Sequence, residues 1–240
     1  MTEAEWLAST DPVPMLRSLA GASDRKLRLF ACAACRRVWH LFAGEGGRGA
    51  VEAAERFADG LATGEELADA LAAAESAFSG SGGAAFAAWG AAADGTNFSA
   101  AGGAGYAAKE AAQAAAGLPH LPTDSSPWEW THPEDFAAKE GALRAERAHQ
   151  ASLLRDILGN PFRPVTVTPA WRTPQVVALA QAAYDQRELP AGTLDVARLA
   201  ILADALEDAG CDQPDLLGHL HGPGPHVRGC WAVDLLLGKE

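Results

Sequence analysis

The stretch SDRKLRLFACAACRRVWHLFA, residues 23–43, decides the fold class. At about 100° per residue, Leu27, Phe30, Ala31, Ala34, Val38 and Leu41 fall on one side of a helix, with Cys35 and Phe42 at its edge. Arg25, Arg36 and Arg37 lie away from that side. Ser23 or Asp24 supplies an N-cap, and Gly44-Glu-Gly-Gly47 stops the run. The pattern predicts an amphipathic helix with a buried stripe and a basic outer face.

The same signals repeat outward from it. Thr2 and Glu5 have capping-box spacing, and Asp11-Pro12 opens a second short helix with proline at its first position. A helix over 48–59 carries Val51, Ala54, Phe57 and Ala58 as its apolar stripe. Thr63 and Glu66 form another capping box, opening a helix that runs to about Phe78. Residues 134–158 read as a long helix ended by Gly159-Asn160-Pro161. Helices follow over 174–187, 193–209, 213–220 and 226–237. Residues 161–172 alternate like a strand, but their prolines confine them to an extended arm. The expected fold is all-α, an irregular multi-helix bundle with one Pro-rich extended arm. Four regions are expected: an N-terminal helical region (1–80), a low-complexity segment (81–117), a Pro/Trp linker (118–133) and a C-terminal helical region (134–240) packed on the first.

Two of these regions need the composition. Residues 81–117 hold 17 Ala and 8 Gly in 37 positions. Small residues permit close helix packing, yet each Gly weakens a helix by about 1 kcal/mol relative to Ala. One or two weak helices, or a mobile excursion, are the expectations there, with the globular core built from the two ends. The linker carries Pro119, Pro122, Pro127 and Pro133, with Trp128 and Trp130 embedded. Tryptophans in a linker are commonly pinned to a neighbouring surface, or offered to a partner.

The 240 residues, 48% of them hydrophobic, suffice for one domain or two small ones. A formal charge of -12 argues against a protein that coats nucleic acid, which needs a basic surface. Four cysteines are too few for a disulfide scaffold. The start, MTEAEW, has neither a basic region nor an apolar one, so a cytoplasmic location is expected. The uncharged runs 76–93 and 95–108 are too rich in Ala and Gly to span a membrane. Of the 19 basic residues 15 are Arg, the bias of GC-rich codons.

Two stretches resemble a known group: LLRDILGNPFRPV (153–165) and GPGPHVRGCWAVDLLLG (222–238). With MTEAEW (1–6), RKLRLFAC (25–32) and CRRVWH (35–40), they are similar to a paralogous family of uncharacterised proteins expanded in planctomycete bacteria. ARLAILADALEDAG (197–210) looks like the short repeat-companion helix of other planctomycete proteins. The resemblance implies a cytoplasmic bacterial protein and carries no catalytic residues over.

Four constellations could carry chemistry. Cys32 and Cys35 form a CxxC, but in mid-helix rather than at the helix N-terminus where redox pairs sit. They lie about 60° apart, and His40 lies about 140° around from Cys35, so small buried side chains are the favoured reading. Cys211, His219, His221, His226 and Cys230 bring three imidazoles and two thiols into twenty residues, and four such groups make a structural zinc site. The turn at 222–225 could fold them together. If helical, His226 and Cys230 share a face. The competing reading is helix-end histidines and a core cysteine. Arg25, Lys26, Arg28, Arg36 and Arg37 could bind phosphate locally. Pairing with Glu52, Glu55, Glu65 or Glu66 is favoured, because aromatic-interleaved nucleic-acid signatures are missing. His226, Arg228 and Asp234 suggest acid–base work, yet no GxSxG or HExxH accompanies them.

The expectation is therefore a non-catalytic cytoplasmic module for protein interaction or structure. Its contact residues would be Trp128, Trp130, Arg25, Arg28, Arg36 and Arg37, with an unidentified protein partner. The alternative is a small metal-binding protein or metalloenzyme using the C-terminal His/Cys group, with zinc as its cofactor.

Overall fold

The computed structural model describes residues 1–19, 21–42, 44–76, 87, 90, 91, 100–117 and 133–239. Local capping sets the first elements. The Thr2–Glu5 box opens α1 (Glu3–Ala8), with Thr2 N donating to Glu5 Oε2 at 2.7 Å. Asp11 accepts from Val13 N at the head of α2 (Pro12–Ser18), and Ser23 accepts from Lys26 N at the head of α3 (Asp24–Arg37). Then follow α4 (Glu45–Ala58) and α5 (Gly64–Ser76), the latter opened by the Thr63–Glu66 box. Next come α6 (Ala100–Ala115) and α7 (Pro133–Leu158). The C-terminal set is α8 (Pro174–Asp185), α9 (Val196–Asp208), α10 (Pro214–Leu220) and α11 (Trp231–Leu237). Among the described residues the protein is all-α, with no strand beyond isolated bridges linking Glu188, Thr193 and Val227. Residues 161–168 run as an irregular arm ending in a 3-10 turn at Pro169–Trp171. Val165, Val167 and Trp171 of this arm pack on the C-terminal core.

The helices bury two apolar clusters. The first centres on α3, which packs against α4, α6 and α7. The second is built by α8 to α11, with Val176, Leu199, Leu202, Leu206, Leu216 and Leu236 at its heart. The division falls at the arm, so α7 belongs with the N-terminal core rather than the C-terminal region. Nor is the alanine-rich segment an excursion throughout. In α6, Ala104, Ala107, Ala108 and Ala111 are buried in the first cluster against α3. Their small side chains let the two backbones approach closely, which a larger residue would prevent. Trp128 and Trp130, the expected contact tryptophans, lie outside the described residues.

Helix α3 departs from expectation at its end and on its outer face. It stops at Arg37 rather than Ala43, because the backbone tightens to i→i−3 bonding: Val38 N to Cys35 O, then Leu41 N to Val38 O. The tighter turn keeps Val38 and Phe42 buried and leaves Leu41 exposed. Most of the outer face is not basic surface either: among its arginines only Arg37 is exposed. Arg36 lies in a buried pair with Glu55, which also takes Arg187 at 2.6 Å. Arg25 joins Asp59 and Asp234, and Arg37 joins Glu146. Arg28 is buried, donating to the Ala91 carbonyl and lying over the Phe57 ring. Arg25, Arg28 and Arg36, proposed for phosphate or partner contact, thus point into the fold, while Arg37 pairs with Glu146 but keeps an exposed side. Of the expected acidic partners, Glu55 is the one these contacts use.

Ion pairs also cross between the two clusters. Asp59 takes Arg25 and Arg228, while Asp234 takes Arg25, Lys26 and the Tyr184 hydroxyl. Burial would raise the carboxyl pKa of Glu55 and Asp59, but the facing guanidiniums outweigh it and hold both below their ordinary range.

The end of α7 meets both halves at Gly159. Gly159 caps the helix in the left-handed region (φ 67°), and its carbonyl accepts from Trp6 Nε1 at 3.2 Å. A Cβ at Gly159 would lie 3.1 Å from the Trp231 ring. Gly159→Ala is expected to cost about 1–3 kcal/mol, from left-handed strain plus displacement of the indole. Gly64→Ala is the control, since Gly64 faces open space at the start of α5. It should be neutral or slightly stabilising. Urea unfolding of both variants checks the pair; equal stability would remove the capping argument.

Candidate metal centre

Four side chains from three elements and a turn meet where the clusters join. Asp156 comes from the last turn of α7, on the face that also buries Leu153, Leu154 and Ile157. His219 comes from the last turn of α10, a helix started by Pro214. His226 follows the Gly222-Pro-Gly-Pro225 turn, and Cys230 is the N-cap of α11. The turn needs its glycines: Gly224 has φ 87°, and a Cβ there would lie 2.9 Å from His226 N.

The polar atoms converge. His226 Nδ1 lies 2.9 Å and His219 Nε2 3.1 Å from the same oxygen, Asp156 Oδ1. His219 Nε2 is also 3.2 Å from Cys230 Sγ. The four ligand atoms all lie within 4.8 Å of one another. Asp156 Oδ2 accepts from Val227 N at 2.9 Å, which fixes the carboxylate's orientation. The two imidazoles pack edge to face at 4.8 Å, and Trp231 lies 5.0 Å from His219. Asp156, His226 and Cys230 are buried, and the His219 side chain is 20% exposed.

Proton placement restricts what this group can be. His226 Nε2 is 3.1 Å from the Gly222 carbonyl, which only accepts, so Nε2 carries a hydrogen. Its Nδ1 therefore faces a carboxylate oxygen either through a second proton or across a cation. Burial works against that second proton, but the bond to Asp156 and its charge outweigh burial and raise the His226 pKa. Burial would likewise raise Asp156, yet its bonds to His219 and His226 hold it low. Burial and the nearby Asp156 charge push the Cys230 thiol well up. A divalent cation would replace these protons and bring the thiol to thiolate.

The arrangement is not a nucleophile relay. Such a relay sets the carboxylate on one imidazole nitrogen and the nucleophile on the other. Here Asp156 and Cys230 share one nitrogen of His219, the geometry of ligands around a common point. Two imidazoles, a carboxylate and a thiolate are all zinc donors. A tetrahedral zinc ion spaces such atoms about 3.3–3.6 Å apart, slightly wider than the three contacts of 2.9, 3.1 and 3.2 Å and within the 4.8 Å that bounds all the pairs. A carbonyl on the second nitrogen of a ligating histidine, as Gly222 provides, is the usual outer support.

Three of the five residues singled out by composition come together: His219, His226 and Cys230. Cys211 is instead buried in the second apolar cluster after α9. His221 is exposed at the C-cap of α10, one residue beyond the helix. His226 and Cys230 do not share a helix face, because α11 begins only at Trp231 and the turn extends up to it. Cys32 and Cys35 take no part. Both are buried in the first cluster, and burial followed by the Glu55 charge raises their thiol pKa, opposing thiolate chemistry. Asp156 was missed; its signal was a carboxylate set among buried-face leucines just before a helix cap.

No protein-family model matches this chain, and searches of curated proteins and of solved structures found no match either. No helix among the described residues is long and apolar enough to cross a membrane.

Proposed function

We propose that the protein is a non-catalytic cytoplasmic module whose two apolar clusters are tied together by a structural zinc ion on Asp156, His219, His226 and Cys230. The observation that carries this reading is the convergence of four zinc-type donors on one buried point. Two further features support it. The donors come from both sides of the cluster boundary, so an ion held there would act as a cross-link. They also supply four protein ligands, the closed coordination of structural sites, whereas catalytic zinc keeps one position open. The scaffold so stabilised would present the Trp128/Trp130 linker to a protein partner.

Metal analysis of protein purified without a polyhistidine tag, in a phosphine reductant, is expected to give about one zinc per chain. Chelation should lower the melting temperature by roughly 6–20 °C, for a loss of about 3–5 kcal/mol at this chain length. Metal-free protein whose melting ignores both chelator and added zinc would overturn the reading.

A further inference from the structure

The largest cavity described lies between the N-terminal and C-terminal halves. It has a volume of about 870 Å³, within the ordinary size of small-molecule sites. Its apolar walls include Trp6, Leu158, Val165 and Trp231, drawn from α1, α7, the arm and α11. Lys26, Arg155, Arg163 and Lys239 also line it, against Glu3 and Asp215.

The cations are not equivalent. Lys26 is bound to Asp234, Arg163 to Glu3 and Lys239 to Asp59. Arg155 is half-buried and has only neutral partners: the carbonyls of Trp6 and Ser9 and the Ser152 hydroxyl. Among the described residues no carboxylate pairs with it. A guanidinium withdrawn from water without a counter-charge is an electrostatic deficit, and a carboxylate answers its planar fork best.

We propose that this cavity binds a small amphipathic monocarboxylate, its acid group on Arg155 and its apolar body between Trp231 and the arm. One unmatched positive charge sets one negative charge on the ligand. The aromatic and aliphatic walls set a hydrophobic body of roughly ring-plus-chain size.

The test uses the full chain with 4-phenylbutyrate as the probe, followed by calorimetry and by Trp fluorescence. Submillimolar binding is expected. The neutral amide, 4-phenylbutyramide, should bind about tenfold or more weakly, because it lacks the charge-assisted contact. Acetate, without the apolar body, should not bind measurably. Arg155→Met should bring the acid down to the level of the amide. Val165→Trp, which fills the cavity from the arm and leaves Arg155 intact, should abolish binding of both. Circular dichroism and melting establish that each variant is folded; should Arg155→Met not fold, the acid–amide comparison and Val165→Trp decide. Absence of 4-phenylbutyrate binding, equal affinity for acid and amide, or undiminished binding by either folded variant would overturn the proposal.

Discussion

Asp156→Asn is expected to abolish stoichiometric zinc binding and to lower the melting temperature by roughly 6–20 °C, the equivalent of about 3–5 kcal/mol. The carboxylate is 3% exposed and has three partners: both imidazoles on Oδ1 and Val227 N on Oδ2. Asparagine is isosteric and can still accept from Val227 N. It then turns an amide NH2 toward the two ring nitrogens and removes the charge that holds the His226 imidazolium. The neutral amide is also a poor zinc ligand. His221→Ala is the matched control: it removes an imidazole five residues from His226, but an exposed one, and should change stability by less than about 0.5 kcal/mol. Wild-type zinc content and melting in Asp156→Asn would discard the centre. Loss of zinc in His221→Ala would mean that the residues converge differently.

Asp234→Leu is expected to destabilise the protein by a similar amount, about 3–5 kcal/mol, without direct loss of a zinc ligand. Asp234 is 1% exposed and accepts from Arg25 at 2.6 and 3.0 Å, from Lys26 at 2.5 Å and from the Tyr184 hydroxyl at 2.6 Å. Burial would lower the Arg25 pKa, but its bonds to Asp234 and Asp59 outweigh that and hold it above its ordinary value. With Asp234 gone, Asp59 is left to neutralise Arg25, Arg228 and Lys239, and Lys26 keeps only the carbonyls of Ile157 and Gly229. The cost arises from cations stranded in a dry boundary, so removing one of them should return part of it. A double variant, Arg25→Met with Asp234→Leu, is expected to recover about 1–3 kcal/mol relative to the sum of the single changes. Denaturant unfolding of the four proteins measures this. A single-variant loss under about 1 kcal/mol, or strict additivity, would show that the network is not coupled.

What was legible in the chain was what neighbours in sequence decide. The caps at Thr2, Asp11, Ser23, Thr63 and Gly159 are contacts spanning a few residues, and each is where its spacing places it. The burial of Leu27, Phe30 and Ala34 follows from one helical period. The metal centre was legible as a set of residue types and not as a set of partners. Asp156 meets His226 across 70 residues, and carboxylates are too common for type alone to single one out. His221 and Cys211 carry the right chemistry, but helix ends and not spacing decide which side chains turn inward. The basic face of α3 was misread for a related reason. Period 3.6 identifies one buried stripe, and it is silent on whether a second layer of acids and helices closes over the other side. Glu55, Asp59 and Asp234, from two other helices and a helix end, make most of that side interior.

The pairing of Arg25 with Asp234 also sets an order in time. The two residues stand 209 positions apart, so at cellular elongation rates of about 5–20 residues per second Asp234 is made roughly 10–40 s after Arg25, which until then has Asp59, 34 positions on, as its carboxylate. Throughout that interval Lys26 lacks the carboxylate it meets in the fold, and the N-terminal helices can collapse around Phe30 without that edge being closed. Closing that edge therefore waits for α11, the last of the described helices, to be made.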